Sequence, residues 1–574
     1  MKGIQFDNAA QRKTYVGVVY EAGTRAIKEQ VLEALPPEFS RLHNEGWIHI
    51  HDLEAYGQTY NCLQMDILRG FPYERFEPYS GFRKITGIFD HFRDLVVKLG
   101  NEQSGGIGFP NFDLDLEYLF ERLDIEDSAE TRQALRDSIE AFVDWCNRSR
   151  ERCGQTTYYV SLNIGLATGQ VGRFVSRALL EYFRESSLDV IKPNIVFKVK
   201  DGVNHLPTDR NHDLFRLAVQ CTCKKMIPTY LLFDSAANAA YDPLKVGIMG
   251  CRTKVVANVF GEDRSIGRGN IDYVTINLPR IALDVDRQHG GRNGAEKVRR
   301  FKERWASIAG VVRDILLDRY RRLLDLSPDD FPCNQTYRLW LADLDSGGGL
   351  EDVLRHGTFS VGFIGLSEAV EVLLGEKYFA TARGREVALD LVRHMRQVVD
   401  GYRQQLTMNF TLLASSGEFI SGRFPALDRL TFKHPVIQKE YYTNSFHVDV
   451  DSGLDPFGKL EVEGPFHALS NGGCISYVEF SSAPIENAEA IEEVIQAGID
   501  HGVNYLGVNF PLDRCLDCEV HGTFDRCPRC EGTRIHRIRR VSGYLEDLQF
   551  FTTGKKAEVG RRTPNATLHP RGGC

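Results

Sequence analysis

The strongest constraint on the fold is an alternation along the chain between two kinds of segment. Short runs that are apolar throughout, such as "YVTINL" (273–278), "CISYVEF" (474–480) and "YLGVNF" (505–510), are bounded by Gly, Pro or Asn and read as strands. Between them lie stretches such as "AEKVRRFKERWASIAGVVRDILLDRYRRLLDL" (295–326) and "REVALDLVRHMRQVVDGYRQQL" (385–406), whose apolar residues recur at helical spacing. A strand without polar alternation is covered on both faces. Such strands alternating with helices build a parallel sheet that binds ligands at the strand ends. The predicted class is α/β, with no repeat of fixed period.

The pattern changes near Pro511, where strands and helices give way to Cys, Asp, Arg and Gly, and again after "GYLEDLQF", where "TTGKKAEVGRRTPNATLHPRGGC" reads as a loose tail. The chain divides accordingly into a body of residues 1–510, a cysteine-rich segment 511–535 and a terminal segment 536–574. With 574 residues, 42% of them hydrophobic, the body can bury a large core. A formal charge of −8 argues against nucleic acid as a partner. The N-terminus lacks the apolar stretch of a signal peptide, and no run of about 18 apolar residues occurs. The expected location is the cytoplasm, where thirteen cysteines read as ligands or reactive thiols before they read as disulfides.

Cys515, Cys518, Cys527 and Cys530 form two C-x-x-C pairs with eight residues between them. Each pair can wrap two thiolates around one ion, with backbone amides bonding the sulfurs, which predicts a tetrahedral four-cysteine zinc site. Four protein ligands close a site to substrate, so the expected role is structural. Cys146, Cys153, Cys221, Cys223, Cys333 and Cys474 are expected to be packing residues and Cys574 a terminal thiol.

Three further stretches carry reactive groups. "GIMGCRTKVV" sets Cys251 among glycines that suit a tight loop tip, where a thiol is presented and not packed away. "EGWIHIHDLEAYGQTYNC" places His49, His51 and Asp52 ahead of Cys62. Strand alternation puts both histidines on one face, ready for metal binding or for a core hydrogen bond with Asp52. "HRIRRVSGYL" interrupts a strand-like run with Gly543, a bend by the ordinary reading. A glycine Cα can also lose one hydrogen atom and leave a radical delocalised over the flanking amides.

Taken in order, "GWIHIHDLEAY…NC", "KVKDGVNHLPTDRNHDLFRLAVQCTCKKMIPTY", "MGCRTKV", "GRGNIDYVTINLPRIAL", "GTFSVGFIGLSEAVEVLLGEK", "YYTNSFHVDV", "GVNYLGVNFPLDRCLDCEVHG" and "RRVSGYL…GKKAEVGRR" resemble the catalytic subunit of anaerobic (class III) ribonucleoside-triphosphate reductases, which are glycyl radical enzymes. The resemblance implies a ten-stranded α/β barrel of two parallel five-stranded halves, with a finger loop near residue 251 inside it and a C-terminal zinc ribbon and radical loop. It puts the stored radical on Gly543, the transient thiyl on Cys251, the hydrogen donor on Cys62, and the asparagine of formate-using members on Asn270. His51 becomes a candidate contact for formate or the leaving hydroxyl. Ser415, Ser416, Thr443, Asn444 and Ser445 resemble the segments where the family holds substrate at helix N-termini. The implied partners are ribonucleoside triphosphates, formate, a radical-SAM activase with an iron–sulfur cluster, and a second copy of the chain in a homodimer.

The chain departs from the family pattern at Ser415, Ser416, Gly417 and Glu418, where Thr-Pro-Ala-Glu is common. "HIHD" arrives by residue 52, which leaves no room ahead of it for the family's ATP cone. A specificity site for a dNTP or ATP effector, at a dimer interface of helices, is expected near residues 102–116. The competing readings are another glycyl radical enzyme acting as a lyase, a catalytically inactive homologue, and a zinc-ribbon protein contacting nucleic acid. The four-cysteine set and Asn270 weigh against the lyase, and the charge against nucleic acid.

Overall fold

The computed structural model describes residues 14–151, 156–250, 252–291, 293–343, 347 and 349–566. Its main sheet contains β1 (Ile48–Ile50), β2 (Cys62–Gln64), β3 (Ile107–Phe109), β4 (Val160–Ile164), β5 (Asn194–Val199) and β6 (Thr229–Leu232). It continues with β7 (Arg268–Asn277), β8 (Thr358–Ile364), β9 (Phe410–Ala414), β10 (Ser476–Glu479) and β11 (Tyr505–Asn509). The strands predicted over 273–278, 474–480 and 505–510 are all present, trimmed or extended by a few residues. Every residue of β8 is buried, as expected for a parallel strand covered on both faces.

Strands β2 to β6 lie side by side and parallel. In the other half, β7, β8 and β9 are parallel neighbours and β10 pairs parallel with β11. The halves meet antiparallel at β2/β7 and β6/β11. A parallel bridge from Leu413 to Gly473 joins β9 to the segment entering β10, with the Ala414 N–H donating to the Gly473 carbonyl at 3.1 Å. Ten strands in two parallel halves thus close on themselves, while β1 adds antiparallel to β7. This is the expected barrel.

Long helices cover it. The helix Gly294–Leu324 is capped by the Asn293 side chain, which accepts from Glu296 N–H at 3.0 Å, and it buries Phe301, Trp305, Ile308, Val312, Ile315 and Leu323 along one stripe. One member of that stripe is an arginine, Arg319, 1% exposed. Its guanidinium pairs with Asp272 on β7 and donates to the His51 carbonyl at 2.9 Å. A buried charge of this kind persists only when paired and hydrogen-bonded, and this pair ties the outer helix layer to the backbone of the "HIHD" stretch.

After β11 the chain builds a small antiparallel sheet, β12 (Leu512–Cys515), β13 (His521–Gly522), β14 (Ile535–Arg540) and β15 (Leu545–Asp547), in the order β13-β12-β14-β15. Gly543 lies in the turn from β14 to β15, which the Val541 N–H closes onto the Tyr544 carbonyl at 3.0 Å. Of the expected loose tail, residues 552–566 are instead packed onto the barrel, and 567–574 lie outside the described residues. Residues Thr553–Val559 form a helix, and Lys555 is fully buried, donating to Glu558 at 2.6 Å and to Asn444 at 3.1 Å. A seven-residue helix is too short to announce itself by periodicity; tertiary pairing of its lysine holds it in place. No helix among the described residues is long and apolar enough to cross a membrane.

Candidate active site

The site forms where the two halves of the barrel meet. Cys62 opens β2, directly across the antiparallel seam from Asn270 on β7. Its thiol donates to Asn61 Oδ1 at 2.6 Å and accepts from the Gly106 N–H at 3.1 Å. Asn61 Nδ2 donates in turn to Asp52 Oδ2 at 2.9 Å, and Ser104 Oγ reaches the same oxygen at 2.8 Å. The thiol therefore sits at the end of a short polar relay that begins on an aspartate.

Residues 246–250 enter the barrel from the side of β4, and residues 252–256 leave toward β9. Asn163 on β4 fixes the entry, donating to the Ile248 carbonyl at 3.0 Å and accepting from the Ile248 N–H at 2.9 Å. Met249 bridges Thr253 antiparallel, which closes a turn with Gly250 at φ +58°. Cys251, expected at the tip of this loop, lies outside the described residues. A Cβ on Gly106 would come within 2.9 Å of Gly250 Cα, so glycine at 106 lets the tip approach the Cys62 wall. On the far side Arg252 Nε donates to the Ala414 carbonyl and Lys254 N–H to the Gly472 carbonyl at 3.0 Å.

A cavity of about 70 Å³ lies between these elements, and its walls include Cys62, Gly250, Arg252, Ser416, Glu418 and Tyr544. Four separated stretches of chain thus converge on one space: β2, the finger turn, the Ser415–Glu418 loop and the Gly543 turn. The Gly543 turn is pinned at its carbonyl, which accepts from Arg540 Nη1 at 3.2 Å. Arg540 is 2% exposed, and burial lowers its pKa from the usual arginine value. Burial, then the charge of Glu418, raises the Tyr544 phenol well above its usual value, so the hydroxyl is a donor.

The other expected site residues divide. His51 Nε2 meets Thr275 Oγ1 at 2.9 Å and its ring stacks on Tyr273 at 3.9 Å, while Thr275 continues to Ser415 Oγ at 2.7 Å. His49 and His51 meet edge-on, ring centroids 4.5 Å apart, so the two do share a face. Asn270 Oδ1 accepts from the hydroxyls of Thr358 at 2.9 Å and Ser360 at 3.0 Å, which turns that oxygen toward β8. Thr443 gives its hydroxyl and its N–H to Glu368 Oε1 at 2.7 and 3.0 Å. Asn444 Oδ1 accepts the Gly417 N–H at 3.0 Å, and a Cβ at residue 417 would fall 2.2 Å from that oxygen. The glycine in "SSGE" is thus matched to Asn444. Ser445 holds φ +39° and accepts at its carbonyl from Leu366 N–H at 3.0 Å.

Residues 102–116 supply the Gly105–Gly106 wall beside Cys62, β3 and the first turn of the helix Phe112–Arg122. Sequence reasoning singles out neither Arg252, Arg540 nor Tyr544; their signal is adjacency to Cys251 and Gly543 alone.

The sulfurs of Cys515, Cys518, Cys527 and Cys530 all lie within 4.8 Å of one another. The pairs Cys515–Cys530 and Cys518–Cys527 stand at 3.5 and 3.4 Å, close to the ~3.8 Å edge of a tetrahedron with Zn–S bonds of about 2.3 Å. Asp517 N–H and Arg529 N–H each point at a sulfur at 3.4 Å. Glu519 and Glu531, one residue past each pair, turn with φ +62° and +58°. Two matching knuckles with amide–sulfur bonds fit one zinc ion. Among the remaining cysteines, Cys146, Cys221, Cys223, Cys333 and Cys474 are buried, as packing residues should be; Cys153 and Cys574 lie outside the described residues.

The family model "Anaerobic ribonucleoside-triphosphate reductase" matches residues 7–564 of the chain. The anaerobic ribonucleoside-triphosphate reductase of Escherichia coli (strain K12) is 28% identical over 575 residues, covering 92% of this chain and 78% of that protein. Among solved structures, an anaerobic ribonucleotide reductase superposes with a TM-score of 0.70 at 15% identity, covering 95% of this chain and 88% of the other. The Thermotoga maritima anaerobic ribonucleotide reductase in complex with dATP and CTP superposes with a TM-score of 0.67 at 16% identity, covering 95% and 89%.

Proposed function

The chain belongs to the anaerobic ribonucleoside-triphosphate reductase family, an oxidoreductase family that reduces nucleotides, and from that premise we propose that it makes 2′-deoxyribonucleoside triphosphates by glycyl and thiyl radical chemistry with formate as reductant. One observation carries the reading: Cys62, both chain neighbours of Cys251 and the Tyr544 beside Gly543 wall a single cavity.

In this scheme a hydrogen atom passes from the Cys251 thiol to the Gly543 radical, and the resulting thiyl takes the 3′ hydrogen of the ribose. S–H and ribose C–H bonds are close in strength, so the step is reversible. With the 3′ carbon a radical, the 2′ hydroxyl leaves as water after gaining a proton. Cys62 gives a hydrogen atom to the 2′ carbon. Formate supplies the second electron and a hydrogen and departs as carbon dioxide, Cys62 regains its thiol, and the 3′ hydrogen returns from Cys251. The net balance is ribonucleotide, formate and a proton giving deoxyribonucleotide, carbon dioxide and water.

The polar relay Asp52–Asn61–Cys62 orients the donor thiol, and His51, through Thr275 and Ser415, connects the "HIHD" stretch to the loop where substrate enters. The first turn of the helix Ile420–Asp428, with Ser415 and Ser416 ahead of it, offers N–H groups to an anion. The four-cysteine site, loaded with zinc, braces β12 against β14 and so the turn that holds Gly543. A radical-SAM activase generates the glycyl radical, the working form is a homodimer, and a dNTP or ATP acts as effector; the Thermotoga maritima protein binds dATP.

The deciding experiment is electron paramagnetic resonance on the anaerobic protein after incubation with an activase, S-adenosylmethionine and reductant, beside Gly543→Ala. A carbon-radical doublet present in the wild type and absent in the variant is the expected result. No doublet, with an activase shown to work on another protein, overturns the reading.

A further inference from the structure

Glu418 stands between the loop that precedes the helix Ile420–Asp428 and the turn that carries Gly543. Its Oε1 accepts the Ser542 hydroxyl at 2.9 Å and its Oε2 accepts the Tyr544 hydroxyl at 2.7 Å. The donors are the residues immediately before and after Gly543, so one carboxylate straddles the glycine. The Glu418 carbonyl accepts the Thr552 hydroxyl at 2.5 Å, which extends the grip to the segment beyond β15. Glu418, Ser542 and Tyr544 are 4%, 1% and 7% exposed. Hydroxyl-to-carboxylate bonds are about twice as strong as neutral ones, and in a buried place an acceptor left unmet carries its full desolvation cost.

Glu418 also lines the cavity, together with Ser416 and Cys62. The same side chain therefore belongs to the loop on which substrate is proposed to rest and to the turn on which the radical is proposed to reside. Arg540 holds the carbonyl of Gly543 and the Val541 N–H holds the carbonyl of Tyr544, while Glu418 takes the side chains on both flanks.

We propose that Glu418 is a positioning residue: it clamps the Gly543 turn from both sides, sets the glycine against the cavity, and makes the seating of that turn depend on the Ser415–Glu418 loop. The part of this that concerns catalysis rests on the glycyl radical reading above; the clamp itself does not.

The test uses Glu418→Ala, Glu418→Gln and Tyr544→Phe in the full-length protein. Before activation, amide hydrogen exchange over residues 541–546 is expected to speed up about tenfold or more in Glu418→Ala, the factor that corresponds to loss of one net buried hydrogen bond. Glu418→Gln keeps one acceptor oxygen and a polar partner for the second hydroxyl, and is expected to restore most of the protection. Adding Tyr544→Phe to Glu418→Ala should add little, because the partner is already lost. After activation, kcat is expected to fall about 10²-fold in Glu418→Ala at unchanged nucleotide KM, as for a misplaced reacting group, with recovery in the Gln variant.

Unchanged exchange over 541–546 in Glu418→Ala overturns the clamp. A rise in KM at unchanged kcat overturns it too, in favour of a direct contact between Glu418 and the nucleotide. If Glu418→Ala does not fold, Tyr544→Phe, which removes one of the two hydroxyl donors, carries the same exchange comparison with Glu418→Gln as the protected control. Should the wild type give no radical while Glu418→Ala still loosens the turn, the glycyl reading fails and the clamp stands.

Discussion

Arg540 Nη1 donates to the carbonyl oxygen of Gly543 at 3.2 Å, and the same guanidinium reaches Asn509 Oδ1 at 2.7 Å and the Met226 carbonyl. Asn509 ends β11 and Met226 precedes β6, the two strands of one antiparallel seam. The glycine turn is thereby bolted to the barrel where its halves meet.

Arg540→Met removes all three donors and leaves three acceptors with reduced partners. A loss of about 3 kcal/mol or more in unfolding free energy is expected, at 1–3 kcal/mol for each buried acceptor left unmet. Urea unfolding reads the stability, and the spin count per chain after activation reads the turn. A variant as stable as the wild type with full radical yield would show that Arg540 is not the anchor.

Cys62→Ala separates radical storage from nucleotide reduction. The thiol is placed by Asn61 and the Gly106 amide, and Cys62 and Tyr544 line the same cavity. Formate-dependent turnover is expected to vanish, by roughly 10³-fold or more for loss of a reacting group, while the glycyl doublet still forms, since the Gly543 turn makes no use of this sulfur. Unimpaired turnover sinks the assignment of Cys62 as hydrogen donor. Retained turnover without formate would point to a different reductant.

The features legible in the sequence are those carried by local spacing. Two C-x-x-C pairs foretell the cluster because a knuckle is built within a few residues, and the apolar runs foretell β7, β10 and β11. Closure of the barrel through Leu413 and Gly473 is readable only by resemblance, because it joins distant segments with no pattern of their own. Glu418 meets Ser542 and Tyr544 from far along the chain, and nothing in "SSGEF" names that partner. The terminal helix escapes a reading by periodicity because seven residues give hardly two turns. Ser104, Gly105 and Gly106 line the cavity, a placement that no local pattern announces.

Zinc removal tests how the four-cysteine segment serves the site. β12 ends at Cys515 and pairs with β14, which leads into the Gly543 turn. A structural zinc contributes about 10–16 kcal/mol of binding free energy in small zinc domains, so Cys515→Ser is expected to unfold this segment and leave the barrel intact. Metal content should drop, helical circular dichroism should hold, and both radical yield and turnover should be lost. Full activity in a metal-free protein would make the cluster dispensable.

His536 on β14 gives a pH dependence to the join between the small sheet and the barrel. Nδ1 meets Asp189 Oδ1 at 2.8 Å and Nε2 meets Asp547 Oδ2 at 2.9 Å. These hydrogen bonds, the one to Asp189 first, raise its pKa from 6.5 to about 9. Asp189 also receives Arg514 at 2.5 Å, and Glu546 beside Asp547 is paired with Lys192 at 2.8 Å, so the imidazolium faces two carboxylates and shares Asp189 with a second cation. A folded-state pKa above the unfolded one means that the protonated form is held more tightly. The stabilisation is complete below about pH 6.5 and drains away as pH rises through about 9. Hydrogen exchange over residues 535–547, compared at each pH with that of His536→Gln, is expected to show wild-type protection exceeding the variant's near pH 6 and converging with it by about pH 10. Equal protection at every pH would mean that the bridge between Asp189 and Asp547 does not hold the sheet in place.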